Sequence, residues 1–181
     1  MATGGLCIPM TSPDAAWRPM TPADLPAVVA LADLIHPDYP EDEAVLAEKL
    51  ELFPAGCLSL DSRGTVIGYC YSHPWTRCSV PSLNTLLGAL PAAPSTYFIH
   101  DVAVHPDRRG QGLAQSAGPL LCAISRGARL THLSLVSVHG TQAFWQRLGF
   151  SEAGNAALRQ AVRAAYGPGA TPMEQTIGAE G

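Results

Sequence analysis

Apolar and polar positions fall into a readable pattern from Trp17 onward. Trp17–Met20 is a short strand candidate, and Thr21-Pro-Ala-Asp24 then supplies a helix cap, a proline at the first helical position and an acid in the first turn. Val28, Leu31, Ala32 and Ile35 recur on one face of the helix that follows. His36-Pro-Asp-Tyr-Pro40 breaks it. The acids Glu41-Asp-Glu43 start a second helix with Leu46, Leu50 and Phe53 inward, ending at Pro54. Cys57–Leu60 and Thr65–Tyr71 flank Asp61-Ser-Arg-Gly64, the turn chemistry of an antiparallel hairpin. Between Arg77 and Ser95 three prolines surround Leu83-Asn-Thr-Leu-Leu87, which reads as a lid or substrate-side insertion with one short helix.

The stretch Thr96–Val104 is apolar on both faces, with Val102 and Val104 on one side and Ile99 and Ala103 on the other, so it is expected to be a central, buried strand stopped by Pro106. A helix is predicted to open at Arg109–Ala114, with Leu113, Ala117, Leu120, Leu121 and Ile124 at helical spacing and a kink at Gly118-Pro119. Gly127 is the expected helix stop. A strand to Val138, a short helix to Leu148, a strand entered at Phe150, a helix over Ala156–Tyr166 and a last strand over Thr171–Ile177 complete the chain.

Composition narrows the possibilities. The 181 residues, 47% hydrophobic, suffice for one substantial core, and no composition shift marks a second domain. Residues 1–14 are expected to be a loose N-terminal tail and 15–181 a single domain. A net charge of -4 argues against nucleic-acid partners, which require a basic face. The five cysteines are odd in number and form no Cys-x-x-Cys pair, so neither a disulfide framework nor a metal site is expected. No signal sequence or membrane span is evident, which gives the expectation of a cytoplasmic protein with no membrane partner.

The chemistry gathers at the basic turn after the central strand. First-turn N–H groups at a helix start have no intrahelical partner and favour an anion; Gly110 and Gly112 let a diphosphate reach the backbone, and Arg109 adds permanent charge. The loop lacks the Gly-Lys-Ser/Thr of a P-loop and the three spaced glycines of a dinucleotide fingerprint. Instead, Arg109-x-x-Gly112-x-Ala114 after Val-x-Val-His-Pro closely resembles the acyl-CoA loop of the GNAT superfamily of N-acyltransferases. Leu133–Val138 followed by Thr141–Phe150, with its Gly149-Phe150 ending, extends the resemblance over most of the chain.

That resemblance implies an α/β (mixed α+β), GNAT-like fold: a central, mostly antiparallel, twisted sheet of about six to seven strands flanked by helices on both faces. It implies an N-acetyltransferase that passes an acetyl group from acetyl-CoA to an amine, small molecule or peptide, by direct attack in a ternary complex, acting as a monomer or homodimer. Val102, Ala103, Val104, Arg109, Gly110, Gln111, Gly112, Leu113 and Ala114 would hold acetyl-CoA. The loop with His36 and Tyr39 would wall the acceptor site.

Direct attack needs a neutral amine, so a base or a water chain must remove a proton. His100 and Asp101 stand where the family commonly places such a group; on a regular strand only one faces the cleft, and a bulge would relax that limit. The family's usual thiolate acid is a tyrosine four residues before Gly-Phe. Here that position is Trp145, whose indole N–H is no acid near neutral pH, which leaves Trp145 to pack against substrate and His139 as the reserve acid. The missing tyrosine also permits an alternative of another class, a non-catalytic acyl-CoA-binding or sensing domain.

Overall fold

The computed structural model describes residues 14–178, so the expected tail lies outside the described residues except for Asp14. The elements in chain order are β1 (Ala16–Pro19), α1 (Leu25–Ile35), α2 (Glu43–Leu52), β2 (Cys57–Ser62), β3 (Thr65–Trp75), β4 (Thr96–Val104), α3 (Gly118–Gly127), β5 (His132–Ser137), α4 (Gln142–Arg147), β6 (Ser151–Glu152), α5 (Ala156–Tyr166) and β7 (Thr171–Thr176). All seven strands form one sheet in the order β1-β2-β3-β4-β5-β7-β6. Every pairing is antiparallel except that of β4 with β5.

Two apolar layers sandwich the sheet. On one face Met20, Val28, Leu31, Leu46 and Leu50 of α1, α2 and their approaches pack on Tyr69, Tyr71 and Ala103. On the other, Ala117 and Leu121 of the α3 region and Phe150 after α4 pack on Tyr97, Ile99, Leu133, Leu135 and Met173. Burial on both faces explains the apolar character of β4. Phe98 and Ile99 are at most 3% exposed.

Local chemistry accounts for the elements around the site. Asp24 accepts a 2.8 Å hydrogen bond from the Thr21 N–H, closing the first turn before α1, and a two-pronged contact from Arg18 of β1 at 2.8 Å on each oxygen. Those contacts, led by Arg18, hold the Asp24 carboxyl well below the usual carboxylate range. The β2–β3 turn places Arg63 at φ 54° and Gly64 at φ 83°, the left-handed pair that a two-residue hairpin needs.

Four expectations are corrected. The segment between Arg77 and Ser95 contains no helix and is held by turns and side-chain contacts instead, its three prolines interrupting any continuous ladder. Pro119 does not kink a helix; it stands in the first turn of α3, where its missing N–H leaves no bond broken. The turns from Arg109 to Ala117 therefore precede the helix, and Leu120 is 40% exposed. The expected stop at Gly127 holds, since it is the last residue of α3, with the left-handed position two residues on at Arg129, φ 59°.

The fourth correction decides the site. Tyr71 pairs with Asp101 while Ser72 pairs with Ile99, so His100 is an extra residue in β4. The bulge separates Ile99 from Ala103, which were expected on one face and instead join opposite cores. It also turns His100 and Asp101 toward the same side, that of α1 and α2.

Candidate active site

Pairing between β4 and β5 covers only Tyr97–Ile99 against Leu133–Leu135. Beyond Ile99 the strands part, leaving the β5-facing edge of Asp101–Val104 without a strand partner. A cavity of about 780 Å³ occupies the gap, running from His36, His100 and Asp101 to the loop at Arg108–Gln115. Val102, Ala103, Val104, Arg109, Gly110, Gly112, Leu113 and Ala114 line it; Gln111, expected there, does not.

The loop is fitted for an anion. Gly110 and Gly112 sit at φ 76° and 72°, and a Cβ on Gly110 would meet only open space, so the backbone is exposed to a ligand from outside. Arg108 lines the cavity with a buried Nε that has no hydrogen-bond partner. Arg109 is exposed, and neither guanidinium forms an ion pair with a carboxylate among the described residues. A buried donor and a free positive charge beside open backbone N–H groups meet the needs of a diphosphate. His105 serves the loop structurally, its Nδ1 accepting from the Asp107 N–H at 3.2 Å.

At the other end are two chains of polar contacts. In the first, Lys49 Nζ lies 2.9 Å from Glu41 Oε1, and Glu41 Oε2 lies 2.6 Å from His100 Nε2. Burial would raise the Glu41 carboxyl, but His100 and Lys49 together bring it down from 4.5 to about 2. His100 is thus locked at Nε2, with a side chain only 4% exposed and a buried, partnerless Nδ1.

In the second, Tyr69 donates its hydroxyl to Asp101 Oδ2 at 2.6 Å, and His36 Nε2 lies 3.1 Å from the same oxygen, off the line of a hydrogen bond. His36 Nδ1 is 3.4 Å from Nε2 of His139, and the two rings stack with centroids 5.5 Å apart. Burial by itself would lower the His36 pKa; the Asp101 carboxylate, with Glu41 behind it, outweighs this and raises it above 6.5. For Tyr69, burial and the same carboxylate push the phenol well above its ordinary value, so it remains a donor.

The remaining expected residues divide between two spaces. Trp145 lines the large cavity, wedged between Phe144 and Phe150 at ring separations of 5.1 and 5.4 Å, and so shares that space with the Arg108–Gln115 loop and not the small pocket. Tyr39 lies in a separate small pocket, its hydroxyl bonded to the Tyr166 carbonyl at 2.6 Å. His139 bridges the two, edge-on to Tyr39 and stacked on His36.

Glu41, Lys49 and Tyr69 were not singled out from the sequence. Lys49 did leave a signal, because it shares the inward face of α2 with Val45, Leu46 and Leu50, and a lysine 3% exposed on such a face requires a carboxylate. No group of three metal-ligating side chains occurs among the described residues, and no described helix is long and apolar enough to cross a membrane. Cys57, Cys70, Cys78 and Cys122 are free thiols.

A sheet parted beyond a parallel pair, with an arginine- and glycine-bearing turn at its mouth, is the architecture implied by the sequence motifs. The chain belongs to the acetyltransferase (GNAT) family, whose model matches residues 26–150. Its fold is similar to that of Ard1 from Thermoplasma volcanium, with TM-score 0.68 and 13% identity over 91% of this chain and 98% of that one. It is similar to Arabidopsis thaliana Naa50 in complex with the bisubstrate analogue CoA-Ac-MVNAL, with TM-score 0.67 and 10% identity over 91% and 99% of the two chains. A third likeness is to N-acetylglutamate synthase from Neisseria gonorrhoeae complexed with coenzyme A and N-acetyl-glutamate, with TM-score 0.67 and 15% identity over 91% of this chain and 35% of that one. At these identities the likeness is one of fold, and no curated protein matches the chain.

Proposed function

We propose that the protein transfers an acetyl group from acetyl-CoA to a primary amine by direct attack within a ternary complex. The observation that carries this reading is the bulge at His100, which brings His100 and Asp101 together at the mouth of the β4–β5 gap, opposite the loop fitted for a diphosphate. Coenzyme A in the similar folds of Naa50 and N-acetylglutamate synthase supports the choice of donor.

Acetyl-CoA would supply an activated thioester carbonyl. Arg108, Arg109 and the backbone at Gly110 and Gly112–Ala114 would hold the diphosphate, and the free edge of Val102–Val104 would pair with the pantetheine arm. A backbone N–H near Val102 meets the developing oxyanion. His36, rather than His100, is the base. His36 Nε2, which makes no hydrogen bond, takes the proton of the attacking amine beside the Asp101 carboxylate that stabilises the resulting imidazolium, and Nδ1 releases its own proton to exposed His139 at 3.4 Å. His100, clamped by Glu41, positions the wall of the site. Trp145 packs beside the sulfur, and the thiolate needs no dedicated acid, since a thiol pKa near 8.5 makes it a tolerable leaving group.

The test is thiol release from acetyl-CoA with a panel of primary amines, run beside thermal unfolding with and without acetyl-CoA. Amine-dependent release and a rise in Tm are expected. Stabilisation by acetyl-CoA without release for any amine points to the binding or sensing alternative. The absence of both effects overturns the reading.

A further inference from the structure

The small pocket of about 60 Å³ that adjoins the cavity is unassigned by the reading above except at its mouth. His36, His100, Asp101, Val136 and Val138 line both spaces, so anything seated in the pocket has its near end at the proposed base. Its walls are aromatic, from Tyr39, Tyr69, Tyr71, Phe98 and Tyr166.

The permanent charges on these walls are acidic, with the imidazoles of His36 and His100 set against them. Glu41 and Asp101 line the pocket, while no lysine or arginine does so among the described residues. Lys49, the nearest candidate cation, is buried against Glu41 at 2.9 Å and does not reach the pocket. A carboxylate placed here would lose its water and face two acids, and the imidazoles that could meet it, His36 and His100, already lie against Asp101 and Glu41 at 3.1 and 2.6 Å. An ammonium approaching Asp101 past tyrosine faces is favoured by both. Three polar atoms of the lining residues, His36 Nε2 at the mouth and Tyr71 Oη and His100 Nδ1, are buried without hydrogen-bond partners, so a neutral hydrogen-bonding group is accommodated beside them.

Size and closure act in the same direction. Since roughly 10–15 Å³ of such space holds one water, the pocket takes about four to six water-sized atoms. Three segments are latched over it. Tyr39 donates to the Tyr166 carbonyl at 2.6 Å, Tyr166 donates to the Pro81 carbonyl at 2.6 Å, and the Asp42 N–H donates to Asn84 Oδ1 at 2.8 Å. Val80 and Leu83 pack against Val162 and Tyr166 beneath the latch. A polypeptide lying across the site would have to break these contacts.

We infer that the acceptor is a short primary amine without a carboxylate, its substituent seated in this aromatic, acid-lined pocket, and not an amino acid or a peptide N-terminus. This rests on the acetyl-transfer reading, with which it shares only the mouth of the pocket.

Matched acceptors that differ by the carboxylate alone provide the test. With acetyl-CoA and the full chain, kcat/KM for thiol release is measured for isobutylamine against valine, for ethanolamine against serine, and for a pentapeptide with a free N-terminus. Each amine is expected to exceed its amino acid by at least a hundredfold, and the peptide to fall below both amines. Leu83→Lys, at a partly exposed wall position, introduces a cation and is expected to narrow the amine-to-amino-acid ratio at least tenfold by raising the amino-acid rate. Equal or better use of valine, serine or the peptide overturns the inference and leaves acetyl transfer standing. An unchanged ratio in folded Leu83→Lys overturns the charge argument. Absence of release with every acceptor removes both readings together.

Discussion

The two ends of the β4–β5 gap are built in opposite ways. At the loop, polar groups are left open: Arg108 Nε has no partner, Arg109 has no carboxylate, and Gly110 keeps its backbone uncovered. At the bulge nearly every charge is already matched, Lys49 with Glu41, Glu41 with His100, and Asp101 with Tyr69 and His36. The loop comes from one continuous stretch; the matched groups come from α2, β3, β4 and the turn before α2. Anion binding is a task for unpartnered donors that wait for a ligand. Proton transfer needs side chains whose charge and orientation are set beforehand, and only tertiary structure can set them.

The sharpest way to break this comparison is Asp101→Asn. It should lower kcat/KM by roughly 10²–10⁴-fold while acetyl-CoA affinity is unchanged. The pH profile gives the sign. His36 accepts a proton only when neutral, so the rate should rise with pH through a limb above 6.5, the same window in which stability contributed by the imidazolium is lost. Removing the carboxylate should shift that limb to lower pH. A parent rate with the parent limb would show that the base lies elsewhere.

Lys49→Met asks whether the matched end depends on its pairs. Leaving Glu41 with His100 alone should cost about 3 kcal/mol, measured by urea unfolding. In the parent, Glu41 has a folded pKa near 2 against an ordinary 4.5, so its contribution is present above pH 4.5 and lost as pH falls toward 2. The variant should lose less stability in that range, since less of the depression remains. Gly112→Glu tests the open end. It places a carboxylate at the diphosphate position and a side chain at φ 72°, and should abolish the stabilisation of about 2.7 kcal/mol expected at a hundred times the dissociation constant. Full acetyl-CoA affinity in this variant would remove the loop assignment. The smallest effect belongs to Trp145→Phe, which keeps a ring between Phe144 and Phe150 and should cost at most about tenfold in kcat. A loss above about a thousandfold in the chemical step would make the indole N–H catalytic.

The same contrast explains what could be read from the chain. The hairpin turn at Arg63-Gly64 and the Thr21–Asp24 turn are local chemistry, and each stands where its residues predicted; the basic loop reaches the cavity mouth but precedes α3 as turns instead of opening it. Pro119 was misread because a proline after apolar helical spacing looks the same in a helix interior as in a first turn; the stretch before it, with Gly110 and Gly112 left-handed, is not α-helical. The bulge at His100 has no local marker, since the extra residue is visible only against β3. Glu41 read as a helix-start acid because its partners, eight and fifty-nine residues away, are set by packing.

The parted sheet also bears on how the molecule opens. Its β1–β4 meander and its β5–β7 unit are joined edge to edge by three residue pairs, Tyr97–Ile99 with Leu133–Leu135, supported by Thr96 Oγ1 donating to the His132 carbonyl at 3.1 Å. Parallel pairing this short resists separation weakly beside the eight pairs that join β3 to β4. Amide exchange at the β5 edge should therefore follow an opening smaller than complete unfolding, while β3 follows complete unfolding.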